Sequence, residues 1–152
     1  MIAAQDSLVV ETELAERGSY ASVTKGTSMR PLFRTNRDMI VVAPLKSPPK
    51  KYDIVLYRGM GGEYILHRII KVREDVYVIR GDNTYFKEYV PKERVFAVLV
   101  SYNRKGKSGS PDSFSFKLYS RVWHFLYPLR FLYVKLRSLA HRIYRKLFKR
   151  KK

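Results

Sequence analysis

The chain has 152 residues, enough for one domain with an appendage, and its 31 Lys and Arg against 13 Asp and Glu leave a formal charge of +18. There is no cysteine, and the three histidines at 67, 124 and 141 share no ligand spacing. These counts exclude a disulfide framework, a thiol nucleophile and a thiolate metal site, and no cofactor or metal is expected. The charge is uneven: residues 1–116 hold 19 basic and all 13 acidic residues, whereas residues 117–152 hold 12 basic residues and no acid. The excess is a property of the tail.

In chain order, Leu8 to Glu16 alternates apolar and acidic residues and stops at Gly18-Ser19, which predicts a short helix within residues 1–19. It is too short for a helix-turn-helix domain. A Ser/Val/Thr-rich run from Tyr20 to Lys25 predicts a strand, followed by Gly26-Thr27-Ser28-Met29-Arg30-Pro31. Gly26 loosens the backbone and Pro31 stops any helix at once, so Ser28 belongs on a tight, backbone-defined corner. On these residues alone the corner reads as an ordinary turn, with Ser28 as its cap.

Met39 to Ala43 predicts a buried strand, closed by Pro44, Pro48 and Pro49. Tyr52 to Tyr57 and Tyr64 to Arg73 predict a hairpin about Gly59-Met60-Gly61-Gly62, and Glu74-Asp75 turns into Val76 to Arg80. That strand ends at Gly81-Asp82-Asn83, which is strong turn chemistry. Arg94 to Tyr102 predicts the last strand, and the Lys/Gly/Ser-rich stretch 103–113 reads as a linker. The expected fold is mainly β, a compact antiparallel domain over residues 20–102. Within the Tyr64 to Arg73 strand, alternation puts Ile65, His67, Ile69 and Lys71 on one face and Leu66, Arg68, Ile70 and Val72 on the other. A lone histidine between two isoleucines is ordinarily a satisfied core residue. The functional alternative is a general base, since a free imidazole titrates at about 6.5, close to where such catalysis works best.

The remaining stretch, 114–152, predicts a basic amphipathic helix. Leu118, Val122, Phe125, Leu129, Leu132, Leu136, Leu139, Ile143 and Leu147 recur at steps of mainly four and three, interrupted only by Pro128, which should kink the helix. Arg121, Arg130, Lys135, Arg137 and Arg142 flank the stripe, and Trp123, Tyr127, Phe131 and Tyr133 give it an interfacial character. Such a segment could cover the β domain, but its charge density favours adsorption to an anionic membrane surface through residues 117–152. No secretory-signal pattern opens the chain and no run reaches 18 uncharged apolar residues, so the expected association is peripheral, on the cytoplasmic face.

Four boxes, Ser28-Met29-Arg30-Pro31, Asp53-Ile54-Val55, His67-Arg68-Ile69 and Gly81-Asp82-Asn83, resemble in order and spacing those of the S24/S26 serine peptidases, the clan of type I signal peptidases and LexA-like self-cleaving repressors. Each box alone is weak; together, with 39 residues from serine to histidine, they are fairly specific and span roughly residues 20–102. The histidine before arginine is similar to the archaeal and endoplasmic-reticulum branch rather than the lysine-dependent bacterial enzymes. The resemblance implies a fold of the signal-peptidase/LexA-like type, with Ser28 as nucleophile and His67 as general base. It also implies a carboxylate that holds the imidazole. Glu88, six residues after Asp82, is the first candidate and Asp82 the second. Backbone N–H groups at Ser28 would form an oxyanion hole with support from the Thr27 hydroxyl, and Met29 would line the peptide cleft. The family usually has glycine before Asp-Ile-Val, where this chain has Tyr52. The implied function is a serine endopeptidase acting on a peptide or precursor protein near a membrane surface. The alternatives are a catalytically inactive scaffold on the same fold and a nucleic-acid-binding module using the basic tail.

Overall fold

The computed structural model describes residues 5–148; the expectations that extend to 1–4 and 149–152 lie outside the described residues. Eight strands form one antiparallel sheet: β1 (Tyr20–Val23), β2 (Met39–Pro44), β3 (Ile54–Arg58), β4 (Tyr64–Val72), β5 (Val76–Arg80), β6 (Glu88–Pro91), β7 (Val95–Arg104) and β8 (Lys107–Gly109). The order is β1-β2-β7-β3-β4-β5-β6, with β8 paired to β7, so the long β7 is inserted between β2 and the β3–β4 hairpin. The expected mainly antiparallel domain is what the chain forms. Strand β6 carries no strong periodic signal of its own and is created by pairing with β5, in the register Ile79 to Glu88 and Tyr77 to Val90.

The 103–113 linker is a correction. Strand β7 runs on to Arg104, and Lys105 (φ 55°) with Gly106 (φ 78°) turns it directly into β8. Two consecutive left-handed residues match the twist of a hairpin, so a composition that reads as linker serves as a two-residue turn. Only the short stretch after Gly109 connects to the helices.

Both faces of the sheet are buried, which is what nearly continuous β-branched runs such as Ile54-Val55-Leu56 require. On one face Ile40, Val42, Ile54, Leu56, Ala97 and Leu99 pack with Met29, Leu32 and Phe33 of the loop after β1. Helix α1 (Gln5–Arg17) covers part of this face through Val10 and Leu14, in agreement with the expected N-terminal helix. The opposite face gathers Val55, Tyr57, Ile69, Tyr77, Ile79 and Val90 into a second cluster. Alternation along β4 holds through His67, Arg68 and Ile69, after which a bulge between Ile69 and Lys71 shifts the register.

Two helices follow, α2 (Phe114–Phe125) and α3 (Tyr127–Phe148), and their break at Leu126, just ahead of Pro128, is the expected kink. Ser113 caps α2 by accepting from the Phe116 amide. The first of these helices covers the β domain, the reading placed second to adsorption above. Phe116 and Ser120 are buried, and the Ser120 hydroxyl meets the Arg68 guanidinium at 2.6 Å.

That guanidinium, 2 % exposed, is the polar centre of the fold. It forms a fork on Asp82 at 2.8 and 2.9 Å, donates to the Tyr52 carbonyl at 3.0 Å and lies over the Phe116 and Tyr119 rings. Every buried side-chain polar atom among the described residues has a partner. Removing one member of such a pair strands the other charge without water, a loss of about 3–5 kcal/mol. Arg68→Met and Asp82→Ala should therefore each lower the unfolding free energy read from urea titration by that order. The double variant should lose clearly less than the two losses combined; full additivity would show that the pair does not act as a unit.

Candidate active site

The loop between β1 and β2 is pinned at its base before it presents Ser28. Thr24 Oγ1 donates to the Arg34 and Asp38 carbonyls at 2.9 and 3.0 Å, and the Thr24 amide donates to the Asp38 carbonyl at 2.9 Å. The Asp38 carboxylate, fully buried, accepts from the Arg34 amide and from the Arg37 guanidinium. The hydrogen bond from Arg37 is the main reason its pKa lies below the ordinary value, with burial opposing. Within the loop, Gly26 takes φ 74°, the Arg30 amide donates to the Thr27 carbonyl at 3.2 Å, and the Phe33 amide donates to the Met29 carbonyl at 3.0 Å. Ser28 thus stands on the expected corner, half-buried, between exposed Thr27 and buried Met29. Met29 belongs to the first cluster and also borders a cavity of about 210 Å³ that Ser28 lines together with β1 and β4.

Sheet register brings the other groups together. His67 pairs with Val55, so Tyr57, two residues along β3, lies diagonally across the same face. Ile69, Ile79 and Glu88 form one row across β4, β5 and β6, which sets Glu88 diagonally from His67 on the other side. The Glu88 Oε1 to His67 Nδ1 distance is 3.0 Å, and the Tyr57 hydroxyl donates to Glu88 Oε2 at 2.7 Å while lying 3.2 Å from Nδ1. A carboxylate beside Nδ1 holds the proton there, which leaves the lone pair on Nε2. The hydrogen bond from His67 does most to hold Glu88 below the ordinary glutamate range; burial opposes it, and Tyr57 adds to it. Burial, with Glu88 next, pushes the Tyr57 phenol far up, so it stays a protonated donor.

Nε2 faces the serine loop across Gly81. A Cβ on Gly81 would meet the Ser28 carbonyl oxygen at 2.7 Å and His67 Nε2 at 2.9 Å, so the two stand on either side of a space that only glycine leaves open. The next residues hold the serine loop: the Asn83 amide donates to the Ser28 carbonyl at 2.7 Å and its side chain to the Thr27 carbonyl at 3.2 Å. Ser28 Oγ makes no hydrogen bond with the imidazole, and neither the Ser28 N–H nor the Thr27 hydroxyl has a hydrogen-bond partner among the described residues. The loop amide is thereby available to an incoming acceptor.

The structure brings Ser28, His67 and Glu88 into one neighbourhood and keeps Asp82 out of the imidazole's reach. Both Asp82 oxygens are engaged by Arg68, and the Tyr119 hydroxyl adds a longer contact at 3.3 Å, which corrects the assignment of Asp82 as a possible third catalytic member. Tyr57, Gly81 and Asn83 are contributors that residue type alone does not identify. For Tyr57 the signal lay in the hairpin register. Tyr52, where the resembled family has glycine, holds φ 82°, the left-handed backbone that glycine adopts without strain. Among the described residues no cluster of His, Asp and Glu could hold a metal.

Two outcomes follow from this geometry. Gly81→Ala should leave the fold intact but separate loop and imidazole, cutting any Ser28-dependent turnover by about a hundredfold, as displacements of about an ångström do. Equal turnover would show that the two do not need this approach. Because the folded-state pKa of Glu88 is depressed, its contribution to stability is present above the ordinary glutamate value and disappears as pH falls through the lower folded value. The difference in melting temperature between the native chain and Glu88→Gln should close below about pH 4, whereas a difference unchanged into stronger acid would sink this account of Glu88. No protein-family model matches this chain, and no curated protein matches it significantly.

Proposed function

We propose that the chain is a serine endopeptidase of the signal-peptidase and LexA-like kind, acting on an extended peptide or precursor-protein segment. The observation that carries this reading is the Glu88–His67 pair, which leaves Nε2 as the basic nitrogen on the side of the Ser28 loop. Ser28 Oγ attacks the scissile carbonyl as its proton passes to Nε2, and the tetrahedral oxyanion is stabilised by the Ser28 N–H. Nε2 then gives the proton to the leaving amine, and water repeats the sequence on the acyl-enzyme. Glu88 stabilises the imidazolium formed in each half-reaction, while the Tyr57 hydroxyl steadies the carboxylate. Strand β1 is an end strand of the sheet beside the cavity, and its outer edge offers main-chain groups to an extended substrate, the mode of binding in which a peptide adds a strand.

The test is cleavage of a diverse peptide library read by mass spectrometry. Ser28→Ala and His67→Ala should each reduce turnover by about 10³-fold or more, and Glu88→Gln by about 10²-fold or more. Tyr57→Phe, which removes a supporting hydrogen bond, should cost about tenfold. Cleavage that is identical in the native chain and Ser28→Ala removes the catalytic reading and leaves a scaffold on this fold.

A further inference from the structure

The two C-terminal helices have opposite faces with different fates. The inner face is used by the protein: Trp123 Nε1 and Arg130 Nη2 both donate to the Asp82 carbonyl at 2.9 Å, and the Tyr127 hydroxyl donates to the Tyr85 carbonyl at 3.0 Å. The Arg130 guanidinium lies over the Trp123 ring at 3.6 Å and that of Arg80 over Tyr127 at 3.4 Å. The outer face is left uncovered. Eight apolar residues spaced by four and three, from Leu118 through Phe125 and Leu129 to Ile143, are exposed, Phe125 by 79 % and Leu129 by 64 %. From Leu132 to Arg145 α3 is exposed all round, so nothing in the β domain shields the stripe.

A stripe with this spacing could seat a second copy of the same helix, but its borders oppose that. Arg121, Lys135 and Arg142 each directly precede a stripe residue, and residues 117–152 contain 12 basic residues and no acidic one, so two copies would set cation against cation. Nucleic acid would answer to the charge but has no use for a row of leucines. The Trp123 and Tyr127 rings that could stack bases are turned inward and already carry arginines. Anionic lipid meets both requirements, since acyl chains accept the apolar stripe while headgroups neutralise its borders. No helix among the described residues is long and apolar enough to cross a membrane, so the helices would lie along the surface. At about 1.5 Å per residue, α3 alone would extend over roughly 33 Å of it.

We propose that the outer face of α2 and α3 is a docking surface for anionic membrane lipid, with Phe125 and Leu129 inserted below the headgroups and Trp123 facing the protein. Docking does not require Ser28 chemistry, so this proposal and the peptidase reading stand or fall separately.

Co-sedimentation of the full chain with vesicles of phosphatidylcholine, with and without phosphatidylglycerol, tests it. Binding should require phosphatidylglycerol, drop at least about tenfold in Leu129→Asp/Leu136→Asp, and fall by about a hundredfold when Arg121, Lys135 and Arg142 are all replaced by Gln. Orientation is read separately. The only tryptophan should be little quenched by brominated lipid, whereas Phe125→Trp in a Trp123→Phe background should be strongly quenched. Equal binding to both vesicle types, or unchanged binding of the leucine variant, overturns the proposal. So does a dimer that the leucine variant dissolves in the absence of lipid, or tighter association with single-stranded RNA that the leucine variant retains.

Discussion

The buried fork between Arg68 and Asp82 is the interaction on which the rest of the architecture depends. A guanidinium taken out of water is tolerable only when its donors are met, and here Asp82, the Tyr52 carbonyl and the Ser120 hydroxyl meet them from three different parts of the chain. One side chain therefore ties the central hairpin to the turn after β5, to the loop before β3 and to the first C-terminal helix. The same residue fixes where Asp82 goes, and by doing so fixes Asn83, whose amide and side chain hold the Thr27–Ser28 backbone. An apolar core could have held the sheet together. It could not have specified which backbone atoms of the serine loop stand opposite which atoms of the turn.

His67 and Arg68 are neighbours in sequence that face opposite ways, and that division gives each its own set of partners. The arginine enters the side of the sheet covered by α2, where its charge is matched by the Asp82 carboxylate. The histidine enters the side that carries Tyr57 and Glu88, where one ring nitrogen is engaged and the other is left toward the loop. Two carboxylates, Asp82 and Glu88, lie close in sequence and are told apart only by which face of the sheet their nearest cation or imidazole occupies. Glu88 reaches His67 because it opens β6 and shares a row with Ile79 and Ile69. The distinction is one of register, not of residue type.

The strands were legible where β-branched residues run without interruption and glycine, proline or aspartate marks the ends, as in Met39–Pro44 and Val76–Arg80. The corner at Ser28 was legible from Gly26 and Pro31 for the same reason: those residues restrict the backbone locally. What escaped reading was set by partners distant in sequence. Strand β6 exists because β5 offers it an edge, and the Lys105-Gly106 turn looked like a linker because left-handed φ is invisible in a composition of lysine, glycine and serine. Asp82 was ambiguous between turn residue and catalytic carboxylate until Arg68 claimed it. In the tail, the stripe of leucines was readable from its spacing. The second face was not, because Phe116, Tyr119, Ser120 and Trp123 acquire their meaning only from the loop they pack against.

That second face connects the surface of the molecule to its centre through a short series of backbone groups. Trp123 and Arg130 converge on the Asp82 carbonyl, the next amide along the chain, that of Asn83, holds the Ser28 carbonyl, and Gly81 on the other side of Asp82 spaces that same carbonyl from the imidazole. Each contact has a backbone atom on one side, so the α2–α3 junction reaches the turn through only two side chains, Trp123 and Arg130. The helices that carry the exposed stripe are also the ones that brace the turn opposite Ser28. The same helices therefore hold the turn that sets the spacing between serine loop and imidazole, which makes the tail part of that turn's support rather than an attachment to it.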